Sequence, residues 1–478
     1  ADWMQLKSWF AAINRRALTV ELVDWMYGLA YSKWPEGPYE NQENGAGLLA
    51  LLEAGNLAAP DLSPANRDYL KRNQRGWLTR FRNTDDAFIY QPEWIHNAYF
   101  QSLYTGQPPE DRIRPSFEWL LLQALPDGAP LRYNHPAYPS LAGIAYLGAH
   151  LLDDPRYIWL AGRALDYAEA HDIYLYAQPG VEQSLALVGQ SPAQGSCILY
   201  GDSGLPNQEG PLAPDKIVFR DGWLVDSSYL LLNLRFSGWH RYKATNTVTL
   251  VHRGAPLVSD ALEGKPPRWL PEGRSLFRDK RIPRENLNGL LIPRSGLSAA
   301  LYHLNGIGGP WAQDPPYYAK VLAFQTGDER DWSHTRLTGW RGWQHDRWIF
   351  AYHDPGPVIV VDAAHGPSQE QAALAWQLAV DGTVEGQRIR LDSAGQPAEV
   401  LLLAAAQDTT GSSMPATMNG ETGQDIVYYA PTRGLLQTVT IFLVGNWVGA
   451  EAELDREGQV LRLAQGDAVI TLPLPSGE

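Results

Sequence analysis

Arg235-Phe-Ser-Gly-Trp-His-Arg-Tyr-Lys-Ala-Thr-Asn-Thr-Val-Thr-Leu250 runs directly into Val251-His-Arg-Gly-Ala-Pro-Leu-Val-Ser-Asp260. The first part is a polar approach loop carrying His240. An alternating strand follows, then a turn at Arg253-Gly254 and a second strand that ends on Asp260. This layout sets one imidazole at the mouth of a β-sheet, with Arg241 and Lys243 beside it.

Toward the C-terminus the period stays at two. Lys216–Arg220, Gly222–Asn233, Asn246–Arg253, Leu297–Leu304, Lys320–Thr326, Arg347–His353, Val358–Ala364, Ala372–Val380, Val400–Ala406, Leu435–Val444 and Val469–Leu474 read as strands, with Gly, Pro, Asn and Asp at the turns. Eleven strands with no helices between them predict antiparallel sheets packed as a sandwich. Toward the N-terminus the period is helical. Trp3–Asn14, Leu18–Tyr31, Gly47–Ala54, Pro64–Arg80, Ile113–Leu125, Ser140–Leu151 and Pro155–His171 carry apolar residues three and four apart, separated by short breakers. Asp154 before Pro155 reads as an N-cap followed by proline at the first helical position. Short loops between such helices predict antiparallel pairs, in a bundle or a toroid. The Gly-, Pro- and Ser-rich stretch 194–215 is the natural boundary. The expectation is an α+β multidomain chain: a helical domain over 1–200, a linker over 201–215 and a β domain over 216–478.

At 478 residues each part is long enough to bury its own core. No run of about 18 apolar residues is present, so no membrane span is expected. The one cysteine, Cys197, excludes an internal disulfide. The net charge of -14 argues against a general nucleic-acid surface. Locally the balance reverses: from Arg241 to Arg284 there are ten Lys/Arg against four acids, as expected of a site for a polyanion, or of a solvated loop balanced elsewhere. The chain also holds 18 Trp and 23 Tyr, side chains that pack in cores and stack on sugar rings. Trp34, Trp94, Trp239 and Trp269 sit beside polar or turn residues and are the cleft candidates.

Several segments together resemble the heparinase II/III-like polysaccharide lyases. Lys216-Ile-Val-Phe-Arg-Asp-Gly-Trp223 is similar to the opening of that family's β domain, where a strand ends in Arg and a Gly-Trp pair follows. The family then has His-x-His-x-Asp-x-Asn-Ser-Phe-x-Leu, a Gly-Pro-Leu turn and an Asp. This chain has His240, Tyr242, Ala244, Asn246, Thr247, Val248 and Leu250, then Gly254, Pro256, Leu257 and Asp260. In the helical half, Leu125-Pro-Asp-Gly-Ala-Pro-Leu-Arg-Tyr-Asn-His-Pro-Ala-Tyr138 resembles a toroid segment that leads to a catalytic Tyr, and Trp94-Ile-His-Asn-Ala-Tyr99 a segment that presents an Asn to the substrate.

The resemblance implies an (α/α) toroid-like domain before the sandwich, and β-elimination on an acidic, uronate-containing polysaccharide. It implies Tyr138 as base and acid, with Tyr133 the second choice; Asn97, beside His96, and His240 would neutralise the carboxylate. Tyr133, Asn134, His135, Trp239, Arg241, Tyr242, Lys243 and Trp94 are the expected substrate contacts, and His135 is an alternative acid or base. It also implies a secreted or periplasmic protein; Ala1-Asp2-Trp3 shows no basic and apolar signal segment, so any export signal is expected to have been removed or never to have existed. Metal-containing members hold a structural zinc with the second His, the later Asp and a further His. Here Tyr242 replaces the first of these, and Glu285-Asn-Leu-Asn288 lacks the last, so no metal and no cofactor are expected.

The chemistry suits these residue types. A proton next to a carboxylate is removed more easily when donors share the developing charge, an effect of several kcal/mol in a dry site. Cations near a Tyr lower its pKa from about 10, so that the phenolate accepts a proton and the phenol returns one. Two other readings remain: an inverting glycoside hydrolase using two of Asp85, Asp86, Glu93 and Asp127, and a glycan-binding protein without catalysis. Asp260, at a strand end, is expected to orient His240 or cap a turn.

Overall fold

The structure is a computed structural model. It describes residues 110–131, 133, 140–173, 188–201, 213–235, 244–260 and 287–292, most of 315–475, and a few positions between 64 and 99. The expected helices Trp3–Asn14, Leu18–Tyr31 and Gly47–Ala54, nearly all of Pro64–Arg80, and the expected strand Leu297–Leu304 lie outside the described residues.

Among the described residues there are three α-helices: α1 (Glu110–Leu122), α2 (Ala142–Leu152) and α3 (Pro155–Ala170). Each falls where the three-and-four spacing placed it. The cap of α3 is the one the sequence announced: Pro155 opens the helix, and the Asp154 carboxylate accepts from the Arg156 amide at 3.0 Å. Two residues link α2 to α3, with Asp153 left-handed at φ 51°. Gly148 of α2 leaves room for two rings, since a Cβ there would meet Phe117 at 2.9 Å and Tyr157 at 3.1 Å. Those rings pack edge to face at 5.4 Å.

The rest is antiparallel β structure. One sheet runs β1 (Cys197–Gly201), β2 (Ala213–Arg220), β3 (Ser228–Asn233), β4 (Thr247–Arg253), β5 (Pro256–Ser259), β11 (Ala373–Leu378), β16 (Glu421–Tyr429), β15 (Thr410–Met418), with β6 (Leu290–Leu291) also paired to β11. A second runs β12 (Gly382–Glu385), β13 (Arg388–Leu391), β14 (Ala398–Ala404), β17 (Leu435–Val444), β10 (Val358–His365), β9 (Trp343–Tyr352), β8 (Arg330–Trp340), β7 (Lys320–Gln325). A third holds β18 (Glu451–Asp455), β19 (Val460–Gln465) and β20 (Ala468–Pro473). β1 and the start of β2 form inside the 194–215 stretch that composition marks as a boundary, so β structure begins before residue 216.

Alternation along the strands divides the interior into layers. Ile217, Phe219, Leu230 and Leu232 of the first sheet meet Ile349, Val358 and Val360 of the second. Their neighbours Val218, Tyr229 and Leu231 point the other way and pack with α1, α2 and α3. On the far side, Ile359, Val361 and Ile441 pack with Leu461, Leu463 and Leu472 of the third sheet. The order is therefore helices, sheet, sheet, small sheet. β2, β4 and β10 are buried on both faces almost throughout, and β10 is correspondingly apolar over most of its length. Among the described residues no helix is long and apolar enough to cross a membrane.

Candidate functional site

Ten of the expected site residues fall in three short stretches outside the described residues: His96 and Asn97; Asn134, His135 and Tyr138; and Trp239, His240, Arg241, Tyr242 and Lys243. Trp34, Trp269, Asp85, Asp86 and Glu93 also lie outside them. The residues that bracket the three stretches are described, and they share one place. Ile95, Tyr133, Leu141 and Ala244 are buried in the core between the helices and the first sheet, and Tyr99 packs against it.

Two of the brackets meet in a polar cluster. Lys216 of β2 is fully buried; its ammonium donates to Asn233 Oδ1 at 3.0 Å and lies 5.0 Å from the centre of the Tyr133 ring. Asp215 stands 3.9 Å from Lys216 Nζ and 3.6 Å from Nε of Arg235, the residue from which the His240 stretch departs. The Tyr133 hydroxyl donates to Gln123 Oε1 at 3.1 Å, while the Gln123 carbonyl accepts from the Tyr229 hydroxyl at 2.9 Å. The end of α1, the start of the Tyr138 stretch and the start of the His240 stretch are thus joined by buried contacts.

The cluster revises the expected roles of two residues. Tyr133 and Trp94 were expected to touch substrate, yet both are buried, at 1% and 0% exposure. Each is a large ring that fills core volume, and Tyr133 is further held by Gln123 and Lys216. Both lie in the interior. Burial also pushes the Tyr157 and Tyr229 phenols well above the ordinary range, Tyr157 despite Arg156 and Tyr229 despite Arg220, so neither suits a base.

At the other end of the His240 stretch, Asn246 sits at φ 58° and plugs into the centre of the sandwich. Its amide oxygen accepts from Thr335 Oγ1 at 2.7 Å, and its amide nitrogen is 3.3 Å from His345 Nδ1. His345 Nε2 lies 2.8 Å from Asp362 Oδ1, and Arg347 Nε donates to the same oxygen at 2.7 Å. Arg347 Nη1 donates to the Asn246 carbonyl at 3.2 Å and the Asn288 carbonyl at 3.0 Å. Burial alone raises the Asp362 pKa, but Arg347 and His345 outweigh it and hold the carboxyl below its ordinary value. Sequence reasoning missed His345, Arg347 and Asp362.

Asp260 lies beside this network. Its Oδ1 accepts from Asn288 Nδ2 at 3.0 Å, and Asn288 Oδ1 accepts from the Gln377 amide at 2.6 Å. The asparagine oxygen is thereby turned from Asp260, and the pair supplies neither imidazole nor thiolate. These donors do not fit a zinc ion. Among the described residues no group of three or more His, Cys, Asp or Glu gathers as a metal site.

Asp127 belongs to the interface as well. Its Oδ2 pairs with His252 Nε2 of β4 at 3.1 Å, and its Oδ1 accepts from the Ala129 amide at 3.0 Å. Nearby, Arg220 donates to the Leu122 and Ala124 carbonyls at 2.7 and 3.1 Å, at the C-terminal end of α1, and its guanidinium lies 3.6 Å from the Trp223 ring centre. The Arg and Trp of the Lys216–Trp223 motif therefore join the helices to the sheet.

No protein-family model and no curated protein matches the chain. Solved structures do. A heparinase III crystal structure aligns with a TM-score of 0.64 at 13% identity, covering 91% of this chain and 68% of the other. The fold is heparinase-like. A second heparinase III, the BT4657 gene product, aligns with a TM-score of 0.62 at 11% identity, over 90% of this chain. This heparinase-like chain spans 64% of that protein's length. The heparan sulfate lyase HepC from Pedobacter heparinus aligns with a TM-score of 0.57 at 14% identity, over 100% of this chain and 82% of its own. At such identities the likeness shows the fold alone.

Proposed function

We propose that the protein is a polysaccharide lyase that cleaves an acidic, uronate-containing polysaccharide by β-elimination. The observation that carries this reading is the heparinase-like fold; the described residues that flank the three stretches, Ile95, Tyr99, Tyr133, Leu141 and Ala244, all belong to one core or pack on it.

In this reading Tyr138 removes the proton beside the uronate carboxylate and then protonates the departing oxygen. Asn97 and His240 neutralise the carboxylate as negative charge develops, with His96 beside them. Arg241 and Lys243 clamp the anionic chain, while Trp239, Tyr242, Asn134 and His135 line it. The toroid, the division into 1–200 and 216–478, and a secreted or periplasmic location belong to the same proposal.

Elimination leaves a conjugated unsaturated uronate end and consumes no water. Incubation with a panel of acidic polysaccharides should therefore produce ultraviolet absorbance in step with new chain ends. Reducing ends without absorbance mean hydrolysis, and neither signal means binding alone. The hydrolase reading loses one of its four carboxylates, because both oxygens of Asp127 are engaged inside the protein.

A further inference from the structure

On the face of the second sheet that turns away from the first, β8 carries the half-buried row Arg330, Trp332 and His334, opposite Tyr352, Phe350 and Trp348 of β9. Alternate residues share a face, so neighbours in the row stand about 6.5–7 Å apart. Trp348 and Phe350 are buried where the second sheet meets the third, and Trp332 packs at the margin of that core. Each ring of the row lies nearly parallel to a buried one: His334 on Trp348 at 4.3 Å and 19°, Trp332 on Phe350 at 6.1 Å and 21°. Each is also held at its edge. Trp332 Nε1 donates to Gln325 Oε1 at 3.0 Å, and His334 Nε2 is 2.6 Å from Oδ1 of the fully buried Asp346. Arg330 Nη1 donates to the Tyr352 hydroxyl at 2.6 Å, and the guanidinium lies 5.5 and 5.4 Å from the Phe350 and Tyr352 ring centres. These partners are neutral, and the exposed Asp328 and Glu329 of the preceding turn make no ion pair with Arg330 among the described residues. We infer that the Arg330, Trp332 and His334 row is a saccharide-binding surface on the far side of the sandwich from the helices, taking an acidic segment of the polysaccharide.

The chemistry of the row selects this occupant. Aromatic rings offer flat apolar faces with polar edges, which suits sugar rings with apolar C–H faces and polar rims. Rings and guanidinium are fixed before anything binds, so little side-chain freedom is lost on contact. Of the five N–H groups of Arg330, one is used on Tyr352 among the described residues, and the guanidinium fork matches a carboxylate or sulfate. A neutral sugar would leave that charge unanswered in a chain whose net charge is otherwise -14. The choice of an acidic polysaccharide rests on the lyase reading; the surface itself is read from β7, β8 and β9.

The experiment measures retardation of wild type, Trp332→Ala and Arg330→Gln in gels containing heparan sulfate, alginate or polyglucuronate. Carboxyl-reduced polyglucuronate is the uncharged control, and thermal midpoints confirm folding. Expected for at least one acidic polymer is a dissociation constant raised about fivefold or more by each substitution, with the Arg330→Gln difference shrinking as salt is raised. A second readout needs no variant: hydroxyl-radical oxidation of Trp332 in wild type should fall severalfold when that polymer is present. Absence of wild-type binding to all three polymers, unchanged binding in either variant, equally tight binding of the uncharged polymer, or undiminished oxidation of Trp332 overturns the inference. So does a loss of self-association instead of polysaccharide binding in Trp332→Ala, since the occupant is then a second copy of the chain. A wild-type protein that binds as expected but forms no unsaturated ends overturns the lyase reading and leaves the binding surface standing.

Discussion

The carboxylate of Asp127 and the imidazole of His252 meet at 3.1 Å, with the Asp127 side chain 9% and the His252 side chain 3% exposed. One belongs to the turn after α1, the other to β4, so this pair ties the helices to the strand that follows the His240 stretch. Asp127→Ala leaves the His252 ring buried without that partner and the Ala129 amide without its acceptor. The loss should be about 1–3 kcal/mol, read as a lower urea midpoint at unchanged slope. An unchanged midpoint would show that the contact contributes nothing.

Gly128 follows at φ 79°, where a Cβ would meet backbone atoms of Arg163 at 2.4 Å. Both the left-handed conformation and the close approach to α3 require glycine. Gly128→Ala should therefore cost more than the ~1 kcal/mol of an unfavourable φ alone, because backbone must move. Circular dichroism melts measure it; a melting point equal to wild type would contradict the close approach.

Acid should loosen the sandwich from within. The Asp362 pKa is lowered from its ordinary 3.8 because Arg347 and His345 outweigh the effect of burial. A carboxylate with a depressed folded pKa contributes stability that is present above the unfolded value and lost as pH falls through the folded one. Urea midpoints should thus hold above about pH 4 and drop below it. In Asp362→Asn, stability at neutral pH should be lower by about 3–5 kcal/mol, since Arg347 is left buried with half its partners, and the acid-dependent drop should shrink. An identical drop in the variant would assign it to other carboxyls.

Much of the fold was legible because hydrophobic period survives in strands buried on both sides. Val358–Ala364 and Leu435–Val444 stand out for that reason, as does the α3 cap at Asp154-Pro155. β8 was missed because the row it turns inward is polar: Asp331, Ser333 and Thr335 are all buried. Its period-two signal reads as a solvated loop when water is assumed to be the partner. His345, Arg347 and Asp362 were invisible for a related reason. Alternation tells which residues share a face, not that a partner 99 residues away in sequence, Asn246, waits on the facing sheet. β15 and β16 carry Thr, Ser, Gly and Gln with little apolar alternation, and only their pairing, Thr410 opposite Tyr429, defines them. For the site, the motif positions Asn246, Asp260 and Tyr133 are all buried, and the burial of Tyr133 and Trp94 depends on packing that no local pattern encodes.

The account stands most directly on one comparison: wild type and Tyr138→Phe incubated with the same acidic polysaccharide, with ultraviolet absorbance, reducing ends and polysaccharide binding followed together. Expected are absorbance and new ends rising together in wild type, and in Tyr138→Phe no absorbance with binding within about twofold of wild type. New ends without absorbance in wild type, or full elimination by Tyr138→Phe, would contradict it.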